Sequence, residues 1–250
     1  MIHYKQKDEI EKMAAAGHIV AQILEVIGDM VRPGITTGAL DRKARDMIEK
    51  AGAVPSFLGY GQPPFPGAIC ASVDSEVVHG IPSDTRFLEE GSIVSIDVGA
   101  CLNGYHGDAA RTFCVGQVKS EVKKLVEVTE ACFWRAFKLA QPGNRLGDLS
   151  SAIQSLAETH QYGVVRELTG HGIGQKLHEV PDLPNFGRSG RGIRIEPGLV
   201  IAMEPMINLG GREIKMGTDG WTISTADGLP SAHYENTFAV TENGPVILTA

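Results

Sequence analysis

Asp97, Asp108, Glu204, Glu235 and His171 are the side chains of this 250-residue sequence whose types and spacing best suit shared chemistry. Four carboxylates and one imidazole make a hard, oxygen-rich shell. Together they carry about four negative charges, enough to balance two divalent ions. Such a shell suits Mn²⁺, Fe²⁺, Co²⁺ or Zn²⁺ and leaves out thiolate-preferring metals. Two ions about 3.5–4 Å apart hold a bridging hydroxide and polarise a carbonyl. A single structural Ca²⁺ is the weaker alternative, because imidazole is a poor Ca²⁺ ligand. His79, His178 and His106 remain for proton and hydrogen-bond work. His79 and His178 sit in breaks close to the acids and are read as functional, while His106 is read as structural.

The elements must then bring these groups together. Residues 92–108 read as a β-hairpin, with Val94, Ile96 and Val98 alternating against Ser95 and Asp97. Asn103-Gly104 predicts a two-residue turn with positive φ. That turn sets the register: Leu102 opposite Tyr105, Gly99 opposite Asp108, Asp97 opposite Ala110. The two aspartates become diagonal neighbours on one face, roughly 7–8 Å apart at the backbone. Two negative charges on the inner face of an apolar hairpin are costly unless a positive charge sits between them. By itself, the hairpin would serve equally well as a solvated edge carrying two ordinary aspartates.

Around the hairpin the chain alternates helices and strands. Ile10, Met13, Gly17, Val20, Leu24, Ile27 and Val31 predict an amphipathic helix over 8–31, ended by Arg32-Pro33-Gly34. Thr36 or Thr37 caps a second helix, with Leu40, Ala44, Met47 and Ile48 inward and Gly52 at its end. Residues 53–69 read as a Pro-, Gly- and aromatic-rich loop, and 69–78 as one or two short strands. Ser120 is expected to cap a third helix carrying Val122, Leu125, Thr129, Cys132, Ala136 and Leu139. A fourth carries Leu149, Ile153, Leu156 and Ala157. Val164–Leu168 reads as a strand leading into Gly170-His171-Gly172, where the glycines let the backbone approach a site closely. Residues 181–192 read as loop, 199–204 as a strong strand, and two or three short strands finish the chain.

The order repeats itself. Pro33-Gly34 matches Pro142-Gly143 at an offset of 109 residues, and Leu40, Ala44 and Ile48 fall on Leu149, Ile153 and Ala157. Met13 and Ile27 fall on Val122 and Ala136. At an offset of 107, Gly91 falls on Gly198, Ile96 on Met203 and Asp97 on Glu204. The expectation is one α/β domain over 1–250, built of two α-α-β-β repeats at about 8–116 and 120–246. A pseudo-two-fold would bring their carboxylates together at the middle.

Composition narrows the class further. A net charge of −7 without a basic run argues against a nucleic-acid binder. No apolar run is read as long enough to span a bilayer, and the N-terminus shows no export signal. Four scattered cysteines without a Cys-x-x-Cys pair suit a reduced, cytoplasmic protein.

The set Asp97…Asp108…His171…Glu204…Glu235, with His79-Gly80-Ile81-Pro82 and Thr169-Gly170-His171-Gly172-Ile173-Gly174, resembles the methionine aminopeptidase family in its short bacterial type I form. The likeness runs from Lys7 to Val246. It implies the pita-bread fold and removal of the initiator methionine from nascent proteins and peptides. It implies a dinuclear centre of Co, Mn, Fe, Zn or Ni, bridged by Asp108 and Glu235, whose bridging hydroxide attacks the scissile carbonyl. It makes Glu204 a proton shuttle as well as a ligand, places His79 at the scissile amide or P1 residue, and sets His178 on the substrate carbonyl. Phe57, Tyr60, Phe65, Cys70, Leu177 and Trp221 fall at the methionine pocket. The 57–68 loop is two residues longer than in many relatives, and Leu177 stands where an aromatic is common. The resemblance allows, without requiring, ribosome association and a monovalent-cation site near Asp74 and Ser231. It implies a monomer acting on N-terminal Met peptides, with neither nucleic acid nor membrane as partner. Two other classes stay open. An exopeptidase for X-Pro bonds would usually carry an extra N-terminal domain, whereas this sequence begins with the first repeat helix. A non-catalytic binding protein would tend to lack metal ligands.

Overall fold

The computed structural model describes residues 1–250. The first half runs α1 (Lys7–Met30), α2 (Thr37–Lys50), β1 (Val54–Pro55), β2 (Ile69–Val73), β3 (Glu76–Val78), β4 (Ile93–Leu102) and β5 (Tyr105–Cys114). The second runs α3 (Ser120–Phe137), α4 (Leu146–Thr159), β6 (Gly163–Val164), β7 (Thr169–Gly172), β8 (Glu179–Pro184), β9 (Val200–Met203), β10 (Met206–Asn208), β11 (Ile214–Met216), β12 (Ile223–Thr225), β13 (Ser231–His233), β14 (Asn236–Thr241) and β15 (Gly244–Ile247). Every strand pair is antiparallel.

The hairpin β4–β5 has the expected register, with Leu102 opposite Tyr105, Gly99 opposite Asp108 and Asp97 opposite Ala110. Asn103 and Gly104 take φ of 50° and 81°, the left-handed pair that such a turn requires. The alternation then divides the residues by face. Val94, Ile96, Val98 and Ala109 pack with Val20, Leu24 and Ile27 of α1 and Leu40, Ala44 and Ile48 of α2. Asp97 and Asp108 have the opposite parity and point away from the helix layer. The second half is built alike: Ile201, Met203, Phe238 and Val240 pack with Leu125, Cys132, Phe133, Leu149 and Ile153 of α3 and α4. Between these two cores lies a third, in which Met13, Phe57, Phe65, Cys70 and Leu177 meet Val200, Ala202 and Ala239.

The correspondence between the halves extends to individual hydrogen bonds. Gly34 N–H donates to Leu88 O at 2.8 Å, and Gly143 N–H to Ile195 O at 2.9 Å. Gly91 N–H donates to Val115 O at 2.9 Å, and Gly198 N–H to Val240 O at 2.8 Å. Gly91 and Gly198 both take φ of 88°. The isolated bridges Thr36–Phe87 and Arg145–Arg194 also match at the two offsets.

The halves join where β5 meets the segment between β13 and β14. Glu235 N–H donates to Ala110 O at 2.9 Å and Ala110 N–H to Glu235 O at 3.3 Å. Asp108 N–H donates to Thr237 Oγ1 at 3.1 Å, and the Thr237 hydroxyl returns a bond to Asp108 O at 2.8 Å. Half-buried Arg111 reaches across the joint, bonding Ala110 O, Glu235 O and Asn236 Oδ1, with its guanidinium 4.3 Å from the Tyr234 ring centroid.

Several local expectations are corrected. Residues 164–168 do not form one strand. After Val165 N–H donates to Met206 O, Arg166 N–H turns to the Glu167 carboxylate and the ladder stops. Residues 179–184, expected in part as loop, form β8. It is the edge strand of its sheet; Pro181 falls in the bulge between the Asp182 and Glu179 pairings, and Pro184 ends the strand. Val54–Pro55, inside the expected loop, pairs with Ala100–Cys101. Ser120 begins α3 rather than capping it; the cap position is Lys119, without a side-chain bond. Leu139 lies past the end of α3 and is exposed. Thr36 does cap α2, accepting from Ala39 N–H at 3.1 Å. By length and composition alone, α1 is long and apolar enough to cross a membrane. Its apolar row, Met13, Ala16, Val20, Ile23 and Ile27, is instead wholly buried in the protein's own core.

Candidate metal centre and active site

All five expected ligands line one cleft of about 310 Å³ at the joint between the halves. β4 contributes Asp97 and β5 Asp108. β7 supplies His171, and Glu204 follows β9. Glu235 lies between β13 and β14. Glu204 is held by its own backbone, since Asn185 Nδ2–H donates to Glu204 O at 2.9 Å. His171 is flanked by glycines for steric reasons: a Cβ on Gly170 would sit 2.6 Å from Ala202 O, and one on Gly172 2.5 Å from Val180 O. The His171 Nδ1–H donates to Gly172 O at 2.9 Å. A carbonyl can only accept, so that bond fixes the tautomer and leaves the Nε2 lone pair toward Glu204 Oε1, 3.6 Å away.

The acids are crowded. Asp108 and Glu235 are 3% and 2% exposed. Burial pushes Asp97 up to about 7. Burial and then the charge of Asp97 hold Asp108 and Glu204 well above the usual carboxylate range, with Glu204 also acting on Asp108. Burial and then Asp108 do the same to Glu235. Asp97 Oδ1, Asp108 Oδ1 and Glu235 Oε1 are buried without a hydrogen-bond partner. Unpaired buried oxygens are costly unless a cation satisfies them. Two trios of ligand atoms each fall within 4.8 Å of one another: Asp97, His233 and Glu235, and Asp108, His171 and Glu235. The donor set is oxygen-rich with imidazole and no thiolate, which fits divalent first-row metals.

The two further histidines stand over these ligands. His79 follows β3 in the left-handed region, φ 58°, an uncommon backbone state that often marks a functional position. It meets Trp221 edge-on at 5.9 Å. Burial, then the charge of His178, push it down to about 4. His178 has its ring centroid 4.2 Å from that of His171. Its Nδ1 lies 2.6 Å from the Tyr60 hydroxyl, and burial lowers its pKa. His106 lies outside the cleft lining, bonded through Nδ1 to Ser56 Oγ at 2.8 Å, as a structural histidine would be.

The six expected pocket residues all line the same cleft. Phe57, Phe65, Cys70 and Leu177 are buried. Phe65 packs edge-on against Trp221 at 5.3 Å, and Trp221 Nε1–H donates to Pro63 O at 3.0 Å, pinning the 57–68 loop to the wall. Asp74, set with Ser231 near a monovalent-cation site by the resemblance, lies beside Ser231, whose N–H donates to Asp74 O at 2.9 Å. The Asp74 carboxylate accepts from Ser92 Oγ and Ile93 N–H, both at 3.0 Å, and so anchors the start of β4. The sequence reading missed His233, along with the apolar wall residues Val78, Leu168 and Met206. A usable signal existed, since His233 and Glu235 are two apart in extended chain and alternate residues share a face.

Residues 11–242 match the model of metallopeptidase family M24. The methionine aminopeptidase of Clostridium perfringens is 51% identical over 250 residues, covering 100% of this chain and 99% of that protein. The solved methionine aminopeptidase from Thermotoga maritima superposes with a TM-score of 0.97 at 42% identity, covering 100% of this chain and 99% of that one. Prolidase from Pyrococcus furiosus superposes at 0.80 with 25% identity, covering 99% of this chain and 65% of that one. With the pita-bread fold and so much shared sequence along its length, the chain belongs to metallopeptidase family M24, among the methionine aminopeptidases of short bacterial type I form.

Proposed function

We infer that this chain removes N-terminal methionine from peptides and nascent proteins, as one catalytic domain of two repeats, 8–116 and 120–246. The cleft carries the reading. Buried carboxylates with unpaired oxygens stand beside an apolar wall of side-chain size. Asp97, Asp108, His171, Glu204 and Glu235 would hold two divalent ions, drawn from Co, Mn, Fe, Zn or Ni. When bound, such a pair supplies an acidified water and polarises a carbonyl.

The chain's own residues do the rest. Phe57, Tyr60, Phe65, Cys70, Leu177 and Trp221 take the methionine side chain. They offer a thioether sulfur–aromatic contacts and leave a charged side chain without a partner. Tyr60 O–H donating to His178 Nδ1 would leave the proton on His178 Nε2, which then serves as donor to the substrate carbonyl. His79 contacts the scissile amide or the P1 residue. Glu204, itself in the ligand set, would carry a proton to the leaving amine. The free thiols of Cys70, Cys101, Cys114 and Cys132 suit a reducing cytoplasm.

The test is cleavage of Met-Ala-Ser, Leu-Ala-Ser, Lys-Ala-Ser and Ala-Pro peptides by metal-reconstituted protein, compared as kcat/KM. Met-Ala-Ser should lead. Discrimination against leucine should stay near 1–3 kcal/mol, the worth of small apolar differences, whereas lysine should be rejected outright. Preference for Ala-Pro would instead favour the X-Pro reading. Equal rates for the methionine and lysine peptides would show that the six residues do not form the pocket.

A further inference from the structure

The ligand set implied by the family resemblance contains one imidazole, His171, and this cleft contains another that it does not assign. His233 is 2% exposed at the end of β13, and its Nε2 has no hydrogen-bond partner. That nitrogen lies 3.8 Å from Glu204 Oε2 and 3.7 Å from Glu235 Oε2. With the ligand oxygens of Asp97 and Glu235 it forms a trio within 4.8 Å, matching the trio of Asp108, His171 and Glu235. Glu235 belongs to both.

We propose that His233 Nε2 is a sixth protein ligand, giving its lone pair to the ion on the Asp97 side of Glu235, so that each ion of the pair has one imidazole. The proposal rests on the dinuclear reading above. The distances favour ligation over a hydrogen bond. Separations of 3.7 and 3.8 Å are too long for N–H···O contacts. Two donors that each bind one ion at about 2.0–2.2 Å stand roughly 3–3.7 Å apart, depending on the angle between them, and the 3.7 Å to Glu235 Oε2 falls at the upper end of that range. The backbone of His233 is also held in place. His233 N–H donates to Thr112 Oγ1 at 2.9 Å, and the Thr112 hydroxyl donates to His233 O at 2.8 Å. Thr112 is on β5, the strand that carries Asp108, so the backbone that bears the imidazole is tied to the strand of the acids. The chemical consequence is a choice among metals. Imidazole nitrogen suits Zn, Fe and Ni, whereas an all-oxygen position suits Mn. A second imidazole therefore moves the Asp97-side ion toward the nitrogen-preferring metals.

Spectroscopy of the Co²⁺-loaded full chain tests this without relying on turnover. Each buried metal-bound imidazole with a protonated second nitrogen gives one exchangeable N–H proton resonance with a large paramagnetic shift. Protein carrying two Co²⁺ per chain should show two such resonances. His233→Gln should lose one of them, His178→Ala should keep both, and calorimetry should show one Co²⁺ site of His233→Gln weakened tenfold or more. A single resonance in the unmodified protein overturns the proposal, and this reading needs no variant to fold. Two resonances in His233→Gln, or unchanged affinity at both sites, overturn it as well. If the chain fails to bind two Co²⁺ at all, the dinuclear reading falls together with it, which separates the two failures.

Discussion

Stripping metal from this protein should make its fold weaken as the pH rises through neutrality. The cause is the crowding of four acids at the joint between the halves. Asp97 is raised by burial from an ordinary 3.8 to about 7, and Asp108, Glu204 and Glu235 are raised well above the ordinary range. In the unfolded chain these groups lose their protons near pH 4. Between pH 4 and 7 the folded apoprotein therefore binds more protons than the unfolded chain, and stability falls with rising pH in that window. One pH unit of such a difference corresponds to about 1.4 kcal/mol, so Asp97 alone withdraws roughly 4 kcal/mol by pH 7. Divalent ions reverse the sign, because ligation requires ionised carboxylates. Loading at pH 6 should thus release at least about one proton per chain, and apparent affinity should drop about tenfold or more for each pH unit below 7. Urea denaturation of apoprotein at pH 5 and 7.5 measures the first effect. Calorimetry in buffers of different ionisation enthalpy measures the second. Apoprotein that gains stability from pH 5 to 7.5, with metal loading that releases no protons, would refute the argument.

Other perturbations have equally definite outcomes. Asp108→Asn and Glu235→Gln each remove a charge from the ligand set, and should abolish turnover and lower metal content measured by elemental analysis. His79→Ala and His178→Ala should keep both ions while turnover falls roughly 10²–10³-fold, as expected for loss of one well-placed donor; loss of metal from either would make it a ligand instead. Gly170→Ala drives a Cβ to 2.6 Å from Ala202 O, which the rigid β7–β9 pair cannot absorb. It should lower Tm, and a displaced His171 should weaken metal binding in parallel.

The sequence by itself determined what depends on neighbours along the chain. The Asn103-Gly104 turn, by demanding positive φ, fixed the register that puts Asp97 and Asp108 on one face. Apolar spacing located the four helices, and the repeated punctuation at Pro33-Gly34 and Pro142-Gly143 revealed two halves whose hydrogen bonds do match. The five-ligand spacing carried the family likeness, and all five ligands converge on one cleft. Tertiary structure decided what depends on partners far along the chain. Pro181 and Pro184 look like loop residues until β8 is seen to be a bulged edge strand, with Pro181 in the bulge and Pro184 at the end. Asp74 gives no local sign that its carboxylate will hold Ser92 and Ile93 at the start of β4. His233 shows little local sign of its setting beyond its spacing from Glu235. The groups facing its Nε2 come from the end of β9 and the stretch before β14, and Thr112 of β5 fixes its backbone. Turn chemistry and periodicity are short-range and are written in adjacent residues. A buried nitrogen's partners are set by which strands pack together, and only the assembled joint between the halves supplies them.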